Sequence, residues 1–133
     1  MHVLIIDDEL EEDSSRVELL RDYGITVTVV NDADAVPGML NDSGARFDAV
    51  ILDLMMPPKH YGLKQTDGGR LTGIAIYREI IEQVPTLPVV IVSAGRATDI
   101  IGSLRPIGYF LEKPVSNKWI VDFINDKVNK NSG

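Results

Sequence analysis

Four carboxylates stand where short apolar runs end. VLIIDDE carries Val3–Ile6 straight into Asp7, Asp8 and Glu9, and DAVILD closes on Asp53. Two later runs end in complementary groups: PVVIVS reaches the Ser93 hydroxyl and YFLEK the Lys113 ammonium. Carboxylates about 5 Å apart repel by ~3 kcal/mol at an effective dielectric of about 20, so a packed acidic cluster calls for a cation. Mg2+ answers that need, since it prefers oxygen ligands and takes one or two carboxylates together with phosphate oxygens. A hydroxyl and a compact ammonium both donate to the oxygens of a tetrahedral anion. The small residues Ala94 and Gly95 after Ser93 would let such an anion approach. The chemistry these residue types share is the handling of a phosphoryl group beside Mg2+. Each has a duller reading when taken singly. Acids after a strand complement the dipole of the next helix, a Ser there is a turn residue, and a Lys before Pro is solvated. Their arrival at a common place is what would decide between the two.

The elements that would bring them together alternate in type. Strand-like runs are His2–Ile6, Ile25–Val30, Asp48–Asp53, Pro88–Val92 and Ile107–Leu111, rich in Val and Ile and too continuous to be apolar on one side only. Between them lie helical patterns. Leu10–Tyr23 places Leu10, Val17 and Leu20 on one side, and Gly73–Val84 places Ile74, Tyr77, Ile81 and Val84 at spacings of three and four. Ser116–Lys130 sets Trp119 with Phe123, and Ile120 with Ile124 and Val128, with Ser116 as N-cap. The stretch NDADAVPGMLNDSG holds a further helix whose start is blurred by Pro37 and Gly38, and Ala97–Leu104 a short one stopped near Arg105–Pro106. Five strands alternating with five helices predict an α/β fold: a flavodoxin-like, doubly wound, five-stranded parallel sheet of order 2-1-3-4-5. In such sheets ligands bind beyond the carboxyl ends of the strands, where the strand order reverses between the first and third. Asp7, Asp8 and Asp53 belong to that crevice.

Composition narrows the class further. With 133 residues, 44% of them hydrophobic and 25% charged, the chain suits one domain with a real core. Without cysteine it has neither a disulfide frame nor a thiolate metal site. A formal net charge of −7 argues against direct nucleic-acid binding, which needs a basic face, and favours proteins or cations as partners. No apolar run is long enough for a bilayer, so no membrane association is expected. The strand-like run directly after Met1 leaves no signal peptide, and the expected location is cytoplasmic.

The ordered set IIDDE, VILDLMMP, VVIVSA and YFLEKP resembles the receiver domain of two-component response regulators, over nearly the whole chain. Each motif is weak alone; the set in this order is specific. The resemblance implies that Asp53 is the phosphoacceptor, and that Asp8 and Asp53 coordinate Mg2+ directly with the backbone carbonyl of Met55. Asp7 would act through a metal-bound water. Ser93 and Lys113 would each bond a phosphoryl oxygen, and Phe110, three residues before Lys113, would be the aromatic switch acting with Ser93. Pro57 and Gly73 also match the pattern. The resemblance further implies a phosphohistidine donor, on a sensor histidine kinase or a histidine phosphotransfer protein. Phosphorylation would reshape the face made by the helix at 97–104, the fifth strand and the last helix, for a downstream protein the sequence does not name.

The chain departs from the pattern in two places. LMMPPKHYGLKQTDGGRLTG is longer by roughly ten residues than the usual connection, and loops of such length are commonly functional or mobile. Lys59, His60, Lys64 and Arg70 make it locally basic, although a solvated insertion is the simpler reading. The stretch from Ser93 to Lys113 looks short and contains Pro106. Residues 1–130 are read as the receiver domain and 131–133 as a polar tail, with no effector domain; this is a stand-alone receiver or one cut from a longer regulator. Two other functions stay open. A receiver-like interaction module would never be phosphorylated. A Mg2+-dependent aspartyl-phosphate phosphatase would need an acid two residues after its nucleophile, where this chain has Met55. On the favoured reading the domain is no enzyme beyond its own phosphorylation and dephosphorylation.

Overall fold

The structure is a computed structural model. It describes residues 1–10, 14–41, 46–54, 57, 59, 62, 64, 68, 72–93, 108–112 and 116–132; for 93, 108–112, 117 and 127–132 it describes the backbone only. The strands are β1 (His2–Ile6), β2 (Thr26–Val30), β3 (Ala49–Asp53), β4 (Val89–Ser93) and β5 (Gly108–Glu112). They form one sheet of order β2-β1-β3-β4-β5, and every neighbouring pair is parallel. Four α-helices occur among the described residues: α1 (Ser15–Asp22), α2 (Val36–Asn41), α3 (Thr72–Gln83) and α4 (Asn117–Ser132). The short helix expected at Ala97–Leu104 lies outside the described residues.

The sheet is covered on both faces because its central strands carry four consecutive apolar residues each, Val3–Ile6, Ala49–Leu52 and Val89–Val92, and the period of two sends alternate side chains to opposite sides. Leu4, Ile6, Val50, Leu52, Val89 and Ile91 pack with Val36 of α2 and Ile74, Ile76, Tyr77 and Ile80 of α3. Val3, Ile5, Ala49, Ile51, Val90 and Val92 pack with Val17 and Leu20 of α1 and Ile120, Phe123 and Ile124 of α4. Fully burying one such aliphatic side chain contributes about 1.5–3 kcal/mol, so these two cores hold the strand ends in fixed register. At the amino end of the sheet β1 and β3 are tied: the Asp48 N–H donates to the His2 carbonyl at 2.7 Å, and the His2 N–H to Asp48 Oδ2 at 2.7 Å.

Element boundaries differ from the sequence expectation in instructive ways. The first helix begins at Ser15, not Leu10, because Ser14 in extended conformation caps it, its Oγ accepting from the Val17 N–H at 3.3 Å. Leu10 stays outside the helix yet packs against the core beside α1. Ser14→Ala is expected to cost about 1 kcal/mol, a shift of the urea midpoint with no change in slope. Before α2 a 3₁₀ turn, Ala33–Ala35, is capped by Asp32, whose side chain accepts from the Asp34 N–H. Pro37 then falls in the first turn of α2, where its missing N–H leaves no helical bond unmade. Ser116 does cap the last helix, its Oγ accepting from the Trp119 N–H at 3.1 Å. That helix continues to Ser132, two residues into the stretch read as a tail, since neither Gly nor Pro interrupts it before Gly133.

Candidate functional site

Parallel register delivers the acids to one rim. The last β1–β3 pair is Ile6 with Leu52, so the next positions on the two strands are Asp7 and Asp53. The ladder toward β2 runs one step past β1, through the Asp7 N–H donating to the Val30 carbonyl at 3.0 Å. Carboxylate oxygens of Asp7, Asp8 and Asp53 all lie within 4.8 Å of one another. Their exposure is graded: Asp53 is buried, only 7% exposed, Asp7 half-buried and Asp8 exposed. Hard oxygen donors at this separation suit a hard divalent cation.

The acid-bearing loop after β1 is internally organised. Asp7 Oδ1 accepts from the Glu9 N–H at 2.9 Å, a turn closed by the side chain of Asp7 itself. Asn31, the first residue after β2, donates from Nδ2 to the carbonyls of Asp7 at 2.8 Å and Leu10 at 2.7 Å. Arg16 of α1 is half-buried; loss of water holds its guanidinium below its ordinary pKa, and the charge of nearby Asp7 partly opposes that fall. Neither Asn31 nor Arg16 was singled out from the sequence. Asn31 carried one readable signal, an amide directly after a strand at the same edge as the acids; Arg16 carried none beyond its place in a helical pattern.

On the other side Asp53 is seated by the chain that follows it. The Leu54 N–H donates to the Val92 carbonyl at 3.0 Å, and the Leu54 carbonyl accepts from the Gly73 N–H at 2.8 Å. The first turn of α3 thus rests against the end of β3. It comes so close that a Cβ on Gly73 would stand 2.6 Å from the Asp53 carbonyl oxygen and 2.7 Å from the Leu54 Cα.

Of the remaining expected positions, Ser93 ends β4, one residue past the partner of Asp53, and pairs with Glu112 of β5. Phe110 lies in β5 opposite Ile91. Only their backbones are described. Lys113 and Met55 lie outside the described residues, as do His60 and Arg70 of the long connection; Lys59 and Lys64 are exposed. Among the described residues no helix is long and apolar enough to cross a membrane.

The fold and its acidic rim define an α/β domain with a cation-ready site at the point where strand order reverses. The chain belongs to the response regulator receiver domain family, whose model matches residues 3–125. It is therefore a receiver domain of the two-component signalling type. It is similar to the transcriptional regulatory protein CpxR of Klebsiella pneumoniae subsp. pneumoniae (strain HS11286), at 28% identity over 120 residues. That match covers 90% of this chain and 45% of the relative, so the chain spans less than half of that protein's length. The receiver domain of NtrX from Brucella abortus is 28% identical with a TM-score of 0.71, covering 96% of this chain and 98% of that one. A CheY-like receiver domain protein from Methanospirillum hungatei JF-1 has a TM-score of 0.78 at 16% identity, covering 98% and 95%, a likeness of fold alone.

Proposed function

We propose that this domain is a phosphorylation-dependent switch in which Asp53 accepts a phosphoryl group from a phosphohistidine donor. The observation that carries the reading is the gathering of Asp7, Asp8 and Asp53 oxygens within 4.8 Å at the end of β1 and β3. Asp8, Asp53 and the Met55 carbonyl would hold Mg2+, and Asp7 would hold one of its waters. When bound, the ion supplies positive charge to the phosphoryl oxygens and to the crowded carboxylates.

A carboxylate oxygen of Asp53 attacks phosphorus in line. The bond from phosphorus to the donor imidazole nitrogen breaks, the nitrogen keeps the electron pair, and an acyl phosphate forms. Lys113 and the Ser93 hydroxyl donate to equatorial oxygens as charge develops on them. Water later cleaves the acyl phosphate, releasing inorganic phosphate and restoring Asp53. The domain thus turns over only its own modification. The new dianionic group draws Ser93 toward it, Phe110 turns inward, and the face around β5 and α4 changes for a protein partner. Residues 1–130 serve as the receiver unit, with a sensor histidine kinase or histidine phosphotransfer protein upstream. The net charge of −7 suits output by protein contact, without direct nucleic-acid binding by this domain.

The test is intact-protein mass spectrometry after incubation with acetyl phosphate and Mg2+. The wild type is expected to gain one phosphoryl group and Asp53→Asn none. Continuous release of free phosphate would instead support a hydrolase, and no adduct even with a cognate kinase would support a passive interaction module.

A further inference from the structure

We propose that Asn31 is a positioning residue for the cation site, clamping the loop that carries Asp7 and Asp8. The inference rests on the reading of that site given above. Asn31 directly follows β2, a strand that carries no acid of the cluster, and it is exposed, so core packing does not explain it. Its two partners are both carbonyl oxygens, which only the amide NH2 can serve, and that group has two hydrogens to give. One goes to Asp7 and the other to Leu10, the first and last residues of the loop with Asp8 between them.

Asp8 is exposed, so core packing does not fix its carboxylate and its place follows the backbone that carries it. Among the described residues that backbone is held by four bonds: two from Asn31, one from the Glu9 N–H to Asp7 Oδ1, and one at its entry from the Asp7 N–H to the Val30 carbonyl. Without the amide, the two carbonyls turn to water and the span from Asp7 to Leu10 loses its closure. The carboxylates then sample positions farther apart than one cation can bridge. Partners that orient ligands without touching the ion typically account for 10- to 100-fold in metal affinity.

The experiment compares wild type, Asn31→Ala and Ile124→Val, the last a mild change in the α4 core away from the loop. Mg2+ titrations followed by amide NMR are expected to show affinity weakened about tenfold in Asn31→Ala and unchanged in Ile124→Val. In the metal-free protein the Glu9 amide should exchange faster with solvent only in Asn31→Ala. Acetyl phosphate at saturating Mg2+ should still give the single adduct. Unchanged Mg2+ affinity in Asn31→Ala, in a series where the wild type binds, overturns the inference while leaving the switch reading intact. A wild type that binds no Mg2+ and takes no phosphoryl group overturns that reading itself, and the positioning role with it.

Discussion

Gly73→Ala is expected to destabilise the domain by about 3 kcal/mol, the upper end of what overpacking costs. In an open helix the same change is favourable by up to about 1 kcal/mol, because Ala is the better helix former. The sign at Gly73 is reversed by what the new methyl would meet. Contacts of 2.6 and 2.7 Å are to backbone atoms of Asp53 and Leu54, which cannot rotate away as a side chain would. Gly38 in α2 is the internal control, since nothing lies within 4 Å of its Cβ position. Gly38→Ala should therefore be neutral or stabilising. Urea unfolding of both variants gives the two signs directly. The relief available to Gly73→Ala is to push α3 off the end of β3, breaking the Gly73 to Leu54 hydrogen bond and shifting Asp53. Phosphoryl transfer from acetyl phosphate should slow even where the protein is still folded. A Gly73→Ala protein with wild-type midpoint and wild-type rate would show that the helix can slide without cost.

The second large effect concerns charge. Metal-free, the buried Asp53 faces two other carboxylates with oxygens within 4.8 Å, a repulsion of about 1–2 kcal/mol after solvent screening of the exposed members. Asp53→Asn removes this repulsion, which favours the metal-free variant by about that amount before the loss of the carboxylate's own bonding partner is counted. Adding the ion reverses the advantage. A site occupied at ten times its dissociation constant stabilises the native state by about 1.4 kcal/mol, and the variant, short of one ligand, gains little. Thermal unfolding with EDTA and then with saturating Mg2+ should bring the two proteins together or exchange their order. Equal response of both proteins to Mg2+ would mean that the ion binds elsewhere.

How much of this was legible from residue types depends on whether a feature is local. Each of the five strands lies within one residue of its expected bounds, because runs such as Val3–Ile6 and Ala49–Leu52 are buried on both faces and admit no other role. The acids were legible for the same reason: they end those runs. Leu10 misled because its burial fits a helical stripe, whereas Ser14 supplies the actual cap four residues later. Asn31 and the close seating of Gly73 depend on partners more than twenty and about twenty residues away, respectively. Single-sequence periodicity carries no term for such meetings. Ser93 and Phe110 fall at β4 and β5 as their apolar runs imply, and the structure adds their register.

The paired bonds at Leu54 have a wider consequence. Its N–H is fastened to Val92 and its carbonyl to Gly73, so the two ends of the connection from β3 to α3 are held side by side. For a chain closed at its base, each doubling of length adds only about 0.6 kcal/mol of closure entropy. Length added beyond Met55 is therefore expected to cost little, while the two bonds at Leu54 keep the end of β3, and Asp53 with it, in place. This makes the connection a natural graft site, where foreign sequence could be spliced in and the Asp53 carboxylate would keep its place.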